Sequence, residues 1–181
     1  MSRRIARPYA AALFAVIEKE GVSALRKAEA ELTAAGEVFR REPRLLKAFE
    51  VPPVPLARKK ELAATLARAL ELRAETARLV LLMTEHLRLR LLPEVAAVLG
   101  EMTDRKEGLQ RGKVQVPAPL EPGQVAALAA SMSSLVGARV ELAAEVRPEL
   151  LAGFVVRVGS RVWDGSLDAQ LRRFAAGADH T

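Results

Sequence analysis

The spacing of apolar residues changes once along this chain, and that change constrains the fold more than any other feature. Through roughly the first 110 residues, apolar side chains recur three and four positions apart, which is the period of an α-helix. The clearest repeat consists of Leu25, Ala28, Leu32, Ala35 and Phe39. Beyond Gly112 the apolar residues alternate instead, as in Val140, Leu142, Ala144 and Val146. Alternation is typical of a β-strand, so the sequence predicts a helical first part and a smaller mixed second part.

Glycines and prolines divide the first part into six helical segments. The first three are expected at 3–20, 22–41 and 43–49, and the fifth at about 74–90. The fourth begins at Pro55, with Leu62, Leu66 and Leu70 facing inward. The sixth begins at Pro93, carries Val95, Val98, Leu99 and Met102 on one face, and is ended by Gly108 and Gly112. We therefore expect a mostly α protein, with an N-terminal six-helix bundle over 1–108 and a small α/β C-terminal domain over 109–181.

The second part contains signals for strands, turns and two helices. A short strand is expected around Val114 and Val116, and the next helix carries Val125, Leu128, Met132 and Leu135. Alternating Phe154, Val156 and Val158 predict another strand, with a hairpin turn at Gly159–Ser160. The run Asp164–Gly165–Ser166 is typical of a turn followed by a helix N-cap, and the last helix bears Leu167, Leu171 and Phe174.

Composition excludes several classes of protein. The chain has no cysteine, which excludes disulfides and thiolate metal sites. Arginines followed by an apolar run give the N-terminus a superficial likeness to a signal peptide, but the run is short, lacks a clear cleavage site and leads into an amphipathic helix. No stretch approaches the roughly 18 apolar residues needed to cross a bilayer. We expect membrane association only through partners, and the absence of a transit peptide favours the bacterial cytoplasm.

The net charge of +6 and the isoelectric point of about 10.2 raise nucleic acid or an acidic surface as partners. The charges are interspersed along the helices, as on solvated helix faces. A single Tyr and a single Trp leave little for base stacking. A basic helical nucleic-acid-binding protein therefore remains the alternative to a protein that binds other proteins.

No residue pattern indicates a catalytic site, a cofactor or a metal. The two histidines, His86 and His180, lie far apart in the sequence and outside any HExxH motif. Asp164 and Asp168 have the spacing of paired carboxylates, but a turn and a helix cap explain them more simply. Residues 108–113, with Gly108, Gly112 and Lys113, resemble a phosphate-binding loop. The spacing is one residue too short, however, and Val follows where the motif has Ser or Thr, so we reject this interpretation. We expect a non-catalytic protein.

Two helical segments are too apolar for ordinary amphipathic helices. No charged residue occurs from Pro8 to Ile17, and Leu79 begins the run LVLLM. Such helices are either central in their domain or covered by another chain. A groove bordered by both helices, accepting an amphipathic helix from a partner, would satisfy both interpretations.

Three stretches resemble one family of proteins. IARPYAAALFAV at 5–16 resembles the N-terminal signature of the ATP synthase delta family, which includes the mitochondrial oligomycin-sensitivity-conferring protein. LVLLMTEHLRLRLLPEV at 79–95 is similar to that family's fifth-to-sixth helix segment. Residues 140–174 resemble its C-terminal signature, in which the matching residues include Leu150, Gly153, Phe154, Gly159, Asp164, Gly165 and Ser166.

The resemblance implies a stator subunit of the F-type ATP synthase at the cytoplasmic face of the bacterial cell membrane. In the family, helices one and five form a groove that holds the N-terminal helix of an alpha subunit. That groove corresponds here to Tyr9, Ala12, Leu13, Val16, Leu79, Leu82, Met83 and His86. The family's C-terminal domain meets the b subunits of the peripheral stalk, so the C-terminal signature is expected to be structural or to face the stalk. The subunit would keep the catalytic head from turning with the rotor.

Overall fold

The structure, a computed structural model, describes residues 2–51 and 54–178. The chain divides into two compact units, Met1–Lys106 and Glu107–Thr181. Each unit has an apolar core of its own. The protein is mostly helical with a small sheet in the second unit, which confirms the predicted fold class at that level.

Six α-helices precede the first strand in the described part of the chain. They are α1 (Ser2–Ile17), α2 (Val22–Arg41), α3 (Pro43–Glu50), α4 (Leu56–Ala69), α5 (Ala74–Glu85) and α6 (Leu92–Glu107). Short 3₁₀ turns at Glu18–Glu20 and Leu89–Leu91 follow α1 and precede α6. The predicted bounds of α2 are confirmed at both ends. Gly21 and Pro43 flank a segment in which apolar residues recur three and four positions apart without interruption.

Large apolar side chains at the centre of the first unit hold these helices together. The fully buried ones include Ile17, Leu25, Leu32, Met83, Leu92 and Leu99. Phe39 and Phe49 join α2 to α3 in an edge-to-face contact with ring centroids 5.6 Å apart. Each such buried side chain contributes about 1.5–3 kcal/mol relative to its exposed state. Tertiary packing therefore stabilises α3, α4 and α5, which have 8, 14 and 12 residues and would be marginal alone in water.

The inward face of α4 differs from the predicted one. Leu62 is 41% exposed, whereas Ala63 and Ala67 are buried. Leu66 and Leu70 pack at the edge of the core, as predicted. The buried face therefore lies one position further along the helix. The short side chains of Ala63 and Ala67 thus take the inward positions of α4, which packs against α5.

Helix α5 ends at Glu85 and not near residue 90 as predicted. Leu87 adopts a left-handed backbone conformation with φ 54°. The N–H of Arg88 donates to the carbonyl of Met83 at 2.8 Å, and the N–H of Leu87 donates to that of Thr84 at 3.1 Å. These two bonds close the helix as a Schellman motif. The sequence lacks the usual glycine at this position, so this end was not visible in it.

The second unit is a four-stranded sheet with two helices. Its elements are β1 (Leu109–Val116), α7 (Pro122–Val136), β2 (Arg139–Val146), β3 (Val155–Val158), β4 (Arg161–Asp164) and α8 (Leu167–Ala178). The strand order is β2-β1-β3-β4. Strands β1 and β2 are parallel and α7 connects them, whereas β1, β3 and β4 pair in antiparallel fashion. The predicted strands and the turn at Gly159–Ser160 are confirmed.

One face of the sheet packs against α7. The core residues are Val114, Val116, Met132, Val140, Val156 and Val158. Leu135, predicted on the inner face of α7, is exposed, and Val136 packs against the core in its place. The spacing of four from Leu128 through Met132 to Val136 keeps the contact on one side of the helix. The side chain of Phe174 lies outside the described residues.

Gly112 was predicted to end the sixth helix, but it lies inside β1. Helix α6 ends at Glu107, and the strand begins at Leu109. A Cβ on Gly112 would lie 2.8 Å from the carbonyl oxygen of Arg157 and 2.7 Å from a methyl carbon of Val158. Glycine occupies this position because the neighbouring strand β3 approaches too closely for a side chain.

We predict that Glu71→Gly stabilises the chain. Glu71 is exposed, has φ 50°, and follows α4, where the N–H of Leu72 donates to the carbonyl of Ala67 at 2.9 Å. A left-handed conformation costs a residue with a Cβ roughly 1 kcal/mol. Glycine should therefore raise the free energy of unfolding by about that amount in urea titrations followed by far-UV circular dichroism. Gly137→Ala, at φ 73° after α7, should lower it. A loss of stability in Glu71→Gly would contradict this account.

Candidate partner-binding surface

Helix α1 buries only one narrow face in the core of the first unit. That face consists of Ala6, Ala10, Leu13 and Ile17. Three of the four are completely buried, and Leu13 nearly so. Because two of them are alanines, the axis of α1 lies close to its neighbours. The remaining circumference of the helix is available to solvent or to a partner.

A second, apolar row runs along the outside of α1. It consists of Ile5, Tyr9, Ala12 and Val16, with spacings of four, three and four. Ile5 is 42% exposed and Val16 is 59% exposed. Ala12 is also exposed, and Tyr9 is half-buried. Apolar side chains left in water at helical spacing are typical of a surface that another helix covers.

Helix α5 lies against α1 and divides its side chains between the core and the surface. Leu79 and Met83 are buried, with Met83 completely so. Leu82 is 43% exposed, and His86, which caps the helix, is also exposed. Leu87, in the turn that follows, is half-exposed. The outer side of α5 and its terminal turn thus carry exposed apolar side chains of their own.

Tyr9 connects α1 to the turn that follows α5. The guanidinium Nη1 of Arg88 donates a hydrogen bond to the hydroxyl of Tyr9 at 2.9 Å. The same guanidinium lies 5.9 Å from the centre of the Tyr9 ring, within the range of a cation–π contact. The left-handed Leu87 directs the chain so that Arg88 reaches α1. This contact joins the row on α1, at Tyr9, to the residue that follows Leu87.

The eight side chains assigned to the groove from the sequence fall into two groups. Ala12, Val16, Leu82 and His86 are exposed, and Tyr9 is half-buried between them and the core. Leu13, Leu79 and Met83 are buried among the side chains of the first unit. The buried group therefore supports the surface from beneath, and the exposed group forms it.

Sequence reasoning missed three residues of this surface: Ile5, Leu87 and Arg88. Ile5 could have been found, because it lies four positions before Tyr9 and continues the same helical row. Leu87 and Arg88 could not, because the prediction continued α5 through them. Their place depends on a non-glycine residue with positive φ, for which the sequence carries no signal.

An ion pair borders the surface at the end of α5. Lys60 Nζ lies 2.6 Å from Glu85 Oε1, and this hydrogen bond lowers the pKa of Glu85 below its usual value. A carboxyl with a lowered pKa stabilises the fold above its unfolded-state pKa, and the contribution is lost as pH falls through the folded-state pKa. Both side chains are more than a third exposed to solvent, so the pair contributes little to stability.

The C-terminal signature forms a hydrogen-bonded junction in the second unit. The N–H of Gly165 donates to the carbonyl of Phe154 at 3.0 Å, and the N–H of Leu167 donates to the carbonyl of Ala152 at 3.0 Å. Gly153 has φ 89°, and a Cβ there would lie 2.3 Å from the carbonyl oxygen of Gly165. The segment before β3 is therefore joined to the start of α8. Leu150 lies just before this junction, half-buried, and Gly159 forms the hairpin turn after β3.

Asp164 and Ser166 cap α8, as the sequence predicted. Asp164 Oδ1 accepts from the N–H of Ser166 at 3.0 Å and from its hydroxyl at 2.6 Å. Ser166 Oγ in turn accepts from the N–H of Ala169 at 3.2 Å. The hydrogen bonds from Ser166 lower the pKa of Asp164. Asp168 lies instead 3.7 Å from Arg172 one helical turn on. The two aspartates thus have separate structural partners.

Within residues 2–51 and 54–178 no group of three His, Cys, Asp or Glu side chains has an arrangement that could hold a metal ion. None of the helices described there is both long and apolar enough to cross a bilayer. His86 is an exposed helix cap. His180, the other histidine considered from the sequence, lies outside the described residues.

We predict that Gly153→Ala strongly destabilises the second unit. The added methyl group would meet the Gly165 carbonyl, and alanine would be strained at φ 89°. The expected loss is roughly 3 kcal/mol in the free energy of unfolding. Trp163, the single tryptophan, lies in β4 opposite Val156 and reports on this unit by its fluorescence.

The matched control for that variant is Gly159→Ala. Gly159 has φ 58°, but nothing lies within 4 Å of a Cβ added there. Its expected loss is therefore only about 1 kcal/mol, from the backbone conformation alone. Equal losses for the two variants would show that the close approach of Gly153 to Gly165 is unimportant.

Comparison with known proteins gives a consistent result over almost the whole chain. Residues 5–177 match the family described as ATP synthase delta (OSCP) subunit. A protein named ATP synthase subunit delta from Maricaulis maris is 33% identical, over 94% of each chain. Another of that name from Nitratidesulfovibrio vulgaris is 32% identical, over 92% of this chain and 91% of the relative.

A solved structure has the same fold. A chain in a Toxoplasma gondii mitochondrial ATP synthase hexamer aligns with a TM-score of 0.65, over 97% of this chain and 98% of that one. Sequence identity in this alignment is 22%, so it bears on the fold alone.

Proposed function

The chain belongs to the ATP synthase delta (OSCP) subunit family, and from that membership we propose which partner each of its two units binds. Members of the family are peripheral-stalk subunits of ATP synthase, structural rather than catalytic, and peripheral parts of a membrane-bound complex. We propose that the first unit binds the N-terminal helix of an alpha subunit. We propose that the second unit binds the b subunits, at the cytoplasmic face of the bacterial membrane. The comparisons give the nucleic-acid alternative no support.

The exposed apolar row on α1 is the observation that carries the first proposal. Ile5, Ala12 and Val16 face outward, and Leu82 and Leu87 add apolar surface from the side of α5. An amphipathic helix laid along this row would bury apolar area on both chains. Each Å² removed from water contributes roughly 25 cal/mol, offset in part by the entropy of association.

The buried members of the predicted groove act indirectly in this proposal. Leu13, Leu79 and Met83 fix the positions of α1 and α5 by packing between them and the other helices. Tyr9 and Arg88 fix the edge where the two helices meet. A partner helix would thus meet a preformed surface, which lowers the entropic cost of binding.

A second set of exposed apolar side chains supports an interface on the second unit. Leu167 and Leu171 lie four positions apart on α8, where they share one face of the helix, and both are exposed. Leu151, in the loop before the junction, is 73% exposed. We assign these residues to contact with the b subunits. The hydrogen-bonded junction at Gly153 and Gly165 would hold the loop and α8 in a fixed relation to each other.

The proposed role is mechanical. Proton flow turns the rotor, and the catalytic head turns with it unless something holds the head. A chain bound to the head through one unit and to the stalk through the other transmits the restraining torque. In this role, residues 1–108 form one domain, a six-helix bundle, and residues 109–181 form another.

The test is a calorimetric titration of the full chain with a synthetic peptide that covers the N-terminal helix of the same organism's alpha subunit. We expect one-to-one binding. Ala12→Asp should weaken it at least tenfold, because the charge would be buried against apolar side chains without a partner. Circular dichroism should show that the variant keeps its fold, since Ala12 is exposed.

The control is Ala30→Asp, which places the same charge at an exposed position inside α2. It should bind the peptide as the unaltered chain does. Absence of binding to the peptide would contradict the proposed partner. If the peptide binds and Ala12→Asp does not weaken the binding, the result would contradict the proposed surface but not the proposed partner.

A further inference from the structure

A cleft of about 500 Å³ lies between α1 and α6, within the first unit. It is lined by Arg3, Arg4, Arg7, Phe14, Val98, Glu101, Met102 and Arg105. At roughly 100° per residue, Arg3, Arg7 and Phe14 lie on the opposite side of α1 from the row formed by Ile5, Tyr9, Ala12 and Val16. The cleft is therefore separate from the surface proposed above for the alpha subunit.

The floor of the cleft is apolar. Phe14 and Met102 are half-buried and Val98 is buried, so all three present carbon atoms to the cleft. Lys106 lies over the Phe14 ring, with its Nζ 5.8 Å from the ring centre and 2.6 Å from Glu18 Oε1. Methionine adapts its shape to different partners more readily than branched side chains do.

The rim of the cleft is basic. Four guanidinium groups and one carboxylate line it, and that carboxylate, on Glu101, is paired with Arg3. Among the described residues, Arg4, Arg7 and Arg105 form neither an ion pair nor a side-chain hydrogen bond. Guanidinium groups bind carboxylates in a planar, two-point geometry. Three arginines are therefore free to bind anionic groups at the margins of an apolar strip.

The shape of the cleft favours an elongated ligand. Its lining spans Arg3 to Phe14 on α1, which is about 16 Å at 1.5 Å per residue. On α6 it spans Val98 to Arg105, or about 10 Å. Two helices thus border a groove about three helical turns long, the geometry in which an amphipathic helix lies with its apolar face down.

We propose that the cleft between α1 and α6 is a second docking groove, which takes an acidic amphipathic helix from another chain. The apolar side of that helix covers Phe14, Val98 and Met102. Its Asp and Glu side chains, on either margin, pair with Arg4, Arg7 and Arg105. The proposal does not rest on the alpha-subunit groove, because the two surfaces use different faces of α1.

The test begins with a phage-displayed library of helical peptides selected for binding to the full chain. Binders are then counter-selected against the double variant Arg7→Glu/Arg105→Glu. The peptides that bind the chain and not the variant should carry an apolar stripe at helical spacing, flanked by Asp and Glu. In titrations, their dissociation constants should rise at least tenfold in the double variant. The affinity should also fall with salt concentration, as expected for exposed charges.

The matched control is Arg44→Glu/Lys47→Glu, which makes the same change in net charge on exposed positions of α3. It should bind the selected peptides as the unaltered chain does. Circular dichroism and thermal melting verify the fold of both double variants. If the charge reversal unfolds the chain, Arg7→Gln/Arg105→Gln takes its place, and a smaller loss of affinity is expected.

Three results would overturn the proposal. One is a selection in which no binder depends on Arg7 and Arg105. Another is a set of dependent binders that are neutral or basic. The third is that ATP or phosphatidylglycerol vesicles, tested in the same titration, bind through these arginines and no acidic peptide does. That result would assign the cleft to a phosphate-bearing ligand.

Discussion

The close packing of one narrow face of α1 is the constraint on which the other features of the first unit depend. Ala6 and Ala10 bring the helix near its neighbours, and Leu13 and Ile17 anchor it in the core. A helix held in this way has a fixed rotation about its axis. The side chains on its other faces therefore have fixed positions, although they contribute little to the core themselves.

Two different surfaces follow from that rotation. The row from Ile5 to Val16 is apolar and continues onto α5 through the contact of Tyr9 with Arg88. The other side of α1 joins α6 in a cleft with an apolar floor and a basic rim. A subunit that works by holding other chains needs surfaces that are formed before the partner arrives. Rigid helices supply them at a lower entropic cost than loops.

The sequence predicted those parts of the fold in which a local pattern and the tertiary packing agree. The bounds of α2, the strand alternation around Val156 and the cap at Ser166 are of this kind. The errors occur where packing against neighbouring helices or strands determines the position of a residue. On α4, Ala63 and Ala67 face the core and Leu62 faces outward. Gly112 lies inside β1, where a Cβ would meet the Arg157 carbonyl of the neighbouring strand β3. Apolar runs and the family resemblance pointed to α1 and α5 as the candidate surface, but they did not separate buried positions, such as Leu13 and Met83, from exposed ones.

The most direct test is reconstitution with membrane vesicles from the same organism that carry its ATP synthase and have been stripped of the matching subunit. If the chain is a stator link, adding it should restore ATP synthesis driven by a proton gradient, saturating at one copy per catalytic head. The chain should also remain with the vesicles when they are sedimented. Failure to bind the stripped vesicles, or binding without any recovery of synthesis, would contradict the assignment to the peripheral stalk.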